Sequence, residues 1–476
     1  MQAKAKQRTG WLLFGLVALL FLAACGPALT AESGSALAAD LPEQNTEATE
    51  APSTTVEDET TASQEETTPA DASESTVTDT EDSEEAEAAT EAGQEAPAAD
   101  EEVEVVEDVQ ADSEVTILTG DDRSDRLAAL TASWNTDWTR RTISTDEILS
   151  GGPPRDGIPS IDEPQFISQS AAEEWLFGNE PVISLEIEGE ARAYPLQVLI
   201  WHEIVNDTVG EVPVTVTFCP LCNSAIVFDR RVNGQVFEFG TSGLLRFSDL
   251  IMYDRTTETL WQQFTGEGIV GELAGEILTF LPSSIVSFDD FRQAFPDGVV
   301  LSQETGFRRR YGENPYVGYD TIGQTPFLFR GKQLDGRLPA MARVVTVSLG
   351  ETDVAYPLDI LAEAGVINDS QAGQDLVVFH TSGTSSALGG PNIATAQDVG
   401  ATGVFDPNLN GQKLTFNRNG DAIVDAETGS TWNILGQAID GPLAGEQLTP
   451  IIHADHFWFS WAAFRPDTII YGGQDG

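Results

Sequence analysis

The most distinctive chemistry in this chain belongs to Cys219 and Cys222, separated by Pro220 and Leu221. Two thiols at that spacing can bridge, exchange with another disulfide, or hold a metal ion. A bridge closing so short a loop removes little unfolded-state entropy, because that effect grows with loop length. Thiol exchange needs a sulfur with a lowered pKa. Metal ligation needs more donors, since two thiolates are only half of a tetrahedral shell. No second pair of cysteines exists, so the rest must come from other residue types. His202 is the first choice by nearness, with Glu203 beside it as a further ligand or a base. Met252, His380, His453 and His456 complete the inventory.

Context orders these readings. Cys-Pro-x-Cys resembles the active sites of thioredoxin-like oxidoreductases, where the first Cys opens a helix. Here Ala225-Ile226-Val227-Phe228 follows at once and reads as a strand, which argues against that chemistry. Between two strands the motif instead resembles the knuckle of rubredoxin-like and zinc-ribbon sites. Metal ligation is therefore the preferred reading, with Cys219, Cys222 and His202 as ligands. Thiolates with imidazole or thioether suit Zn²⁺ or copper, and the sequence leaves the ion open.

Other clusters carry less. His453-Ala454-Asp455-His456 has a spacing of three and runs into aromatic residues, so a helix entry capped by Asp455 competes with a metal pair. Arg308-Arg309-Arg310 is the sole basic cluster beyond the N-terminus and is expected to pair with carboxylates where two halves of the fold meet.

Those halves come from an internal repeat. Ala193-Tyr194-Pro195-Leu196 and Asn206-Asp207 recur 162 residues later as Ala355-Tyr356-Pro357-Leu358 and Asn368-Asp369. Val227-Phe228-Asp229 answers Val404-Phe405-Asp406, Asp254 and Trp261 answer Asp425 and Trp432, and Pro296-Asp297 answers Pro466-Asp467. The order implies two copies of one module, over residues 180–302 and 342–476, joined by 303–341 and preceded by a lead-in over 114–179. Short Val-, Ile-, Phe- and Thr-rich runs bounded by Gly, Asn and Asp predict strands, among them 182–187, 212–218, 225–228, 236–239 and 344–349. Helices are expected over 195–205, 288–295, 357–364 and 457–464. The fold class is α+β, mostly β. Residues shared by both copies, such as the Tyr-Pro and Asn-Asp pairs and the Trp, read as architecture. His202, Glu203, Cys219 and Cys222 stand in the first copy alone, with Ala364-Gly365 opposite the His-Glu pair and His380 near the position of Cys219.

The N-terminus sets the compartment. Lys4, Lys6 and Arg8 precede an apolar run from Trp11 to Ala24 that closes on Leu22-Ala23-Ala24-Cys25. It is shorter than the roughly 20 residues of a spanning helix and reads as a signal peptide over 1–25 with a lipidation site at Cys25. Residues 31–112 hold 27 Asp or Glu and no Lys or Arg. Such a stretch cannot bury a core, so 26–113 is expected to be a disordered, self-repelling linker. The chain is thus expected to be an exported lipoprotein, anchored to the cell membrane by its lipid with the folded region extracytoplasmic. Beyond the linker, residues 113–476 keep 50 acidic and 21 basic residues. That balance excludes a nucleic-acid partner, which needs a basic footprint. A small molecule or a protein remains open as partner.

Three segments carry a resemblance: His202-Glu203-Ile204-Val205-Asn206-Asp207, Phe218-Cys219-Pro220-Leu221-Cys222-Asn223-Ser224, and Met252-Tyr253-Asp254-Arg255 with Leu260-Trp261. Together they resemble an uncharacterised prokaryotic family catalogued as domain of unknown function 3179, over most of residues 150–476. The resemblance implies that His202, Glu203, Cys219 and Cys222 are family positions, and it brings no activity or cofactor. Whether the protein is an enzyme stays open. The leading expectation is a membrane-anchored, metal-binding protein, with thiol-disulfide exchange or a non-enzymatic binding module as alternatives.

Overall fold

The computed structural model describes residues 115–473. The expected signal peptide, Cys25 and all of the expected acidic linker lie outside the described residues. The described region is mostly β, a set of sheets of two to seven strands with short helices between them. None of those helices is long and apolar enough to cross a membrane.

The strands that frame the cysteines belong to a four-stranded sheet in the order Thr279–Leu281, Ser224–Asp229, Val212–Cys219, Ile204–Val209. Val214, Val216 and Phe218 are buried on one face and Thr215 and Thr217 on the other. The strand alternates apolar with polar as a half-exposed strand would, yet both faces are covered; Thr217 resolves its burial by donating its hydroxyl to the Ile226 carbonyl at 2.7 Å. Beside this sheet the hairpin Phe239–Arg246 and Asp249–Asp254 anchors a seven-stranded sheet. The lead-in supplies three of its strands: Leu118–Thr119, Arg140–Arg141 and Ile148–Ser150. Residues 303–341 contain neither helix nor strand and lay Tyr311, Tyr316 and Tyr319 against the core that holds both cysteines.

The residues read as architectural do brace turns and strand ends. Tyr194 donates its hydroxyl to Asp207 at 2.6 Å, and Tyr356 to Asp369 at 2.8 Å. The Asn206 side chain pairs with both backbone groups of Phe239, and Asn368 does the same with Phe416. Asp254 and Asp425 each accept an indole N–H at 3.0 Å, from Trp261 and Trp432, together with backbone N–H groups of the following turn.

Three expectations change. The first helix covers Leu196–Leu199 only, rather than 195–205. Glu203 takes a left-handed φ of 61° and its N–H closes the turn on the Leu199 carbonyl, after which Ile204–Val209 runs as a strand. The stretch 236–239 splits between Gln235–Val236 and Phe239–Arg246. Asp455 caps no helix: it lies within the strand His453–Phe457, and Phe457 is the residue that precedes the helix Trp458–Phe464. The other expected helices stand as Phe288–Ala294, Leu358–Ala364 and Trp458–Phe464.

Candidate metal centre

Cys219 ends the strand Val212–Cys219 and pairs in register with Ser224, so Pro220 to Asn223 form a hairpin loop. Cys222 N–H donates to the Cys219 carbonyl at 3.2 Å, and Asn223 N–H to that of Pro220 at 3.3 Å. Asn223 takes φ 51°, a left-handed geometry that Asn tolerates better than most residues. The loop is pinned from outside by Phe457, whose N–H donates to the Cys222 carbonyl at 2.9 Å. Both sulfurs are free, and both cysteines are buried.

The third member is Asp249, which the sequence reading did not single out. Its carboxylate and the two sulfurs offer ligand atoms that all lie within 4.8 Å of one another. A two-residue turn, Phe247-Ser248, delivers it: Arg246 pairs with Asp249 across the hairpin, and the turn residues have φ of 52° and 72°. Turns of this type ordinarily use Asn-Gly, because other side chains clash there at about 1–2 kcal/mol per residue. Phe and Ser occupy it here because the turn is buried and held from all sides. Phe247 packs on Phe464 and Phe329, Ser248 donates its hydroxyl to the Phe327 carbonyl at 2.6 Å, and the Cys219 thiol lies 3.8 Å from the Ser248 carbonyl. Backbone strain of this kind gathers at functional sites, where the surroundings must over-determine it.

The electrostatics of the group are unbalanced. Asp249 Oδ2 accepts from Gln262 Nε2 at 2.5 Å and from the Phe264 N–H at 3.0 Å, while Oδ1 is buried without a hydrogen-bond partner. Burial pushes the Asp249 carboxyl up to about 7, against these donors and the weaker help of the two thiols. Burial also raises both thiols, Cys222 well above its ordinary value. The site therefore gathers three acids that resist ionisation together. A divalent cation held between them would let them ionise, because metal binding to such donors expels their protons.

Glu203 stands near this group without joining it. Its carboxyl is buried, no described residue donates a hydrogen bond to it, and burial followed by the charge of Asp249 pushes it up to about 8. His202 is drawn elsewhere: Nδ1 lies 2.7 Å from the Pro159 carbonyl and Nε2 2.7 Å from the Tyr311 hydroxyl. With both ring nitrogens engaged, His202 reads as a buried brace for the 303–341 segment. Met252 is buried in the core cluster that includes the cysteines, paired across its ladders with Thr241 and Trp261. His380 sits on the strand Gln374–Thr381, its Nε2 3.4 Å from the Val399 carbonyl, and does not approach the cysteines as a third ligand. His456 stacks on Trp461 and Phe264, and His453 faces the Ile451 carbonyl at 2.8 Å, so the two do not form a metal pair. Of the basic cluster, Arg310 pairs with Glu313 of its own loop at 2.9 Å rather than with a carboxylate across the fold.

A signal for Asp249 was present in the chain. The spacing that aligns Asp254 with Asp425 sets Gly420 opposite Asp249, so this acid, like the cysteines, has no counterpart at that spacing.

Residues 155–468 match the family described as "Protein of unknown function (DUF3179)", a span that includes Glu203, both cysteines and Asp249. No curated protein and no solved structure matches the chain.

Proposed function

We propose, for a chain that belongs to the DUF3179 family of unknown function, that the protein binds one metal ion through Cys219, Cys222 and Asp249. The observation that carries this reading is Asp249 Oδ1, a buried carboxylate oxygen with no hydrogen-bond partner, set beside two buried thiols. A buried carboxylate with one oxygen left unpaired is costly, and a cation would remove that cost. Two thiolates and one carboxylate suit Zn²⁺, whose tetrahedral sites accept both sulfur and oxygen, better than Cu(I), which favours sulfur. Three ionised ligands already bring the centre to one net negative charge. A fourth anion would deepen that imbalance in a buried setting, so Glu203 serves in its neutral form, hydrogen-bonded to whatever neutral group completes the shell.

The complete burial of the sulfurs and of Asp249 supports a structural role for the ion, tying the cysteine loop to the Phe247-Ser248 turn. Thiol exchange is less well supported, because Cys219 is followed by a turn and a strand, with no helix N-terminus to stabilise a thiolate, and burial raises both pKa values. The parallel Tyr-Asp, Asn-backbone and Asp-Trp arrangements support a duplicated module, of which the first copy carries the centre. Lipidation at Cys25 would present the whole on a membrane surface, with the acidic segment as spacer.

Metal analysis of the protein purified without chelator tests the reading. One ion per chain is expected in the parent and none in the Cys219→Ser, Cys222→Ser double variant. A metal-replete, reduced parent that retains no ion would overturn it.

A further inference from the structure

The segment 303–341 differs in charge from the rest of the fold. It holds six basic and four acidic residues, while the remainder of 113–476 holds 15 basic and 46 acidic. Its middle is almost free of charge: from Asn314 to Phe329 the one charged residue is Asp320, which is buried against Arg343 at 3.1 Å. Arg308, Arg309 and Arg310 stand on one side of this stretch, Arg330 and Lys332 on the other. Arg308, Arg309 and Arg330 meet no carboxylate at ion-pair distance among the described residues, and Arg309 turns instead to the Arg308 carbonyl at 3.3 Å.

The uncharged middle is a run of tight turns. Tyr319 N–H donates to the Tyr316 carbonyl at 2.9 Å, Thr321 N–H to that of Gly318 at 3.2 Å and Gln324 N–H to that of Thr321 at 3.0 Å. Phe327 N–H then returns to the Tyr319 hydroxyl at 3.1 Å, so the run closes on itself. Tyr316, Tyr319 and Phe329 pack on the core, and Gly318 N–H donates to the Gly389 carbonyl at 2.8 Å, which holds the knot in place. What it leaves outside is apolar. Among the described residues five large apolar side chains are more than half exposed, and three of them, Val317, Ile322 and Phe327, belong to this knot. Apolar side chains exposed singly are ordinary; three on one braced tip mark a contact surface.

We propose that this tip docks on an anionic membrane surface, with Val317, Ile322 and Phe327 entering the boundary between headgroups and acyl chains while the flanking basic residues bind lipid phosphates. An irregular loop goes no deeper, because its free backbone groups need water or headgroups. The charge asymmetry sets the orientation, since an anionic surface repels the acidic body of the fold and attracts this segment alone. An acidic protein would answer the arginines, but an apolar tip framed by cations matches the layering of a bilayer, apolar beneath an anionic surface. The contact uses neither Cys25 nor the ion proposed at Cys219, so it stands or falls apart from both.

The test uses the full chain in a Cys25→Ser background carrying one added exposed thiol for an environment-sensitive fluorophore. Ile322→Cys places the label on the tip, and Ile439→Cys, at a residue also more than half exposed, serves as control. The native cysteines are buried and do not compete for the label. Vesicles of equal parts phosphatidylcholine and phosphatidylglycerol should shift the tip emission to the blue and shield it from an aqueous quencher, and leave the control unchanged. Because the readout is local, attachment through the N-terminus cannot imitate it. Arg308→Glu with Arg309→Glu should raise the lipid concentration needed for the tip shift by ~10-fold or more. A tip label that stays in water on these vesicles overturns the proposal, and if polyglutamate shifts it instead, the surface belongs to an acidic protein. Equal shifts at both sites overturn it as well.

Discussion

If Cys219, Cys222 and Asp249 hold the ion, its apparent affinity must depend steeply on pH, and the slope follows from the site. Each ligand is protonated in the metal-free protein below its own pKa, and each proton must leave as the ion enters. Both thiols are raised above their ordinary range, so each binds a proton throughout neutral pH; the Asp249 carboxyl, at about 7, joins them only on the acid side. Affinity therefore rises with pH. Two protons are displaced per ion above about pH 7, a change of ~100-fold per pH unit. Three are displaced well below it, ~1000-fold per unit, or about 4 kcal/mol. Competition against a chromophoric zinc chelator between pH 5.5 and 8.5, corrected for protonation of the chelator, reads this slope directly. Proton release by calorimetry in two buffers checks it. In Asp249→Asn the slope on the acid side should drop to that of the alkaline side. A parent slope of one or less would refute the reasoning, since it would mean that the thiols are already ionised without metal.

Three further outcomes are expected. Glu203, at about 8 in the fold against an ordinary 4.5, holds a proton that the unfolded chain releases. Its stabilising contribution is complete below the lower value and is lost as pH rises through the higher one. Glu203→Gln should therefore make the metal-free protein more stable than the parent at pH 9, by on the order of 3–5 kcal/mol, with little difference at pH 4. Urea unfolding at the two pH values measures this, and equal stabilities at pH 9 would contradict it. The two thiols of the native protein should react with an aromatic disulfide reagent at pH 7 at least ~10-fold more slowly than free cysteine, and at the normal rate in urea; rapid modification of one native thiol would instead favour disulfide exchange. Finally, Cys25→Ser should move the protein from the detergent phase to the aqueous phase in a phase-partition assay, and a variant that stays with detergent would remove lipidation as the anchor.

The chemistry of single residues and short runs was legible in the chain. The spacing of Cys219 and Cys222 between two strand-forming runs predicted the hairpin loop that presents both sulfurs, because hydrogen bonds within that loop are local. The mostly β class followed from the same short runs. The helix over 195–205 misled because Pro195 to Leu199 does start one, whereas its end is set by Glu203 turning left-handed and by the Ile204–Val209 strand finding a partner elsewhere in the chain.

The third candidate ligand was a different kind of problem. His202 is closer to the cysteines in sequence than Asp249 and carries a better metal-binding group, yet Pro159 and Tyr311, both far away along the chain, occupy its ring nitrogens. Asp249 reaches the sulfurs because Phe464 and Phe329 hold Phe247 in a conformation that it would not adopt alone. Residue type and local hydrogen bonding thus determined which groups could bind an ion and how two of them are presented. Tertiary packing decided which acid joins them, since burial sets both the strained turn that delivers Asp249 and the missing partner that makes its carboxylate a candidate ligand.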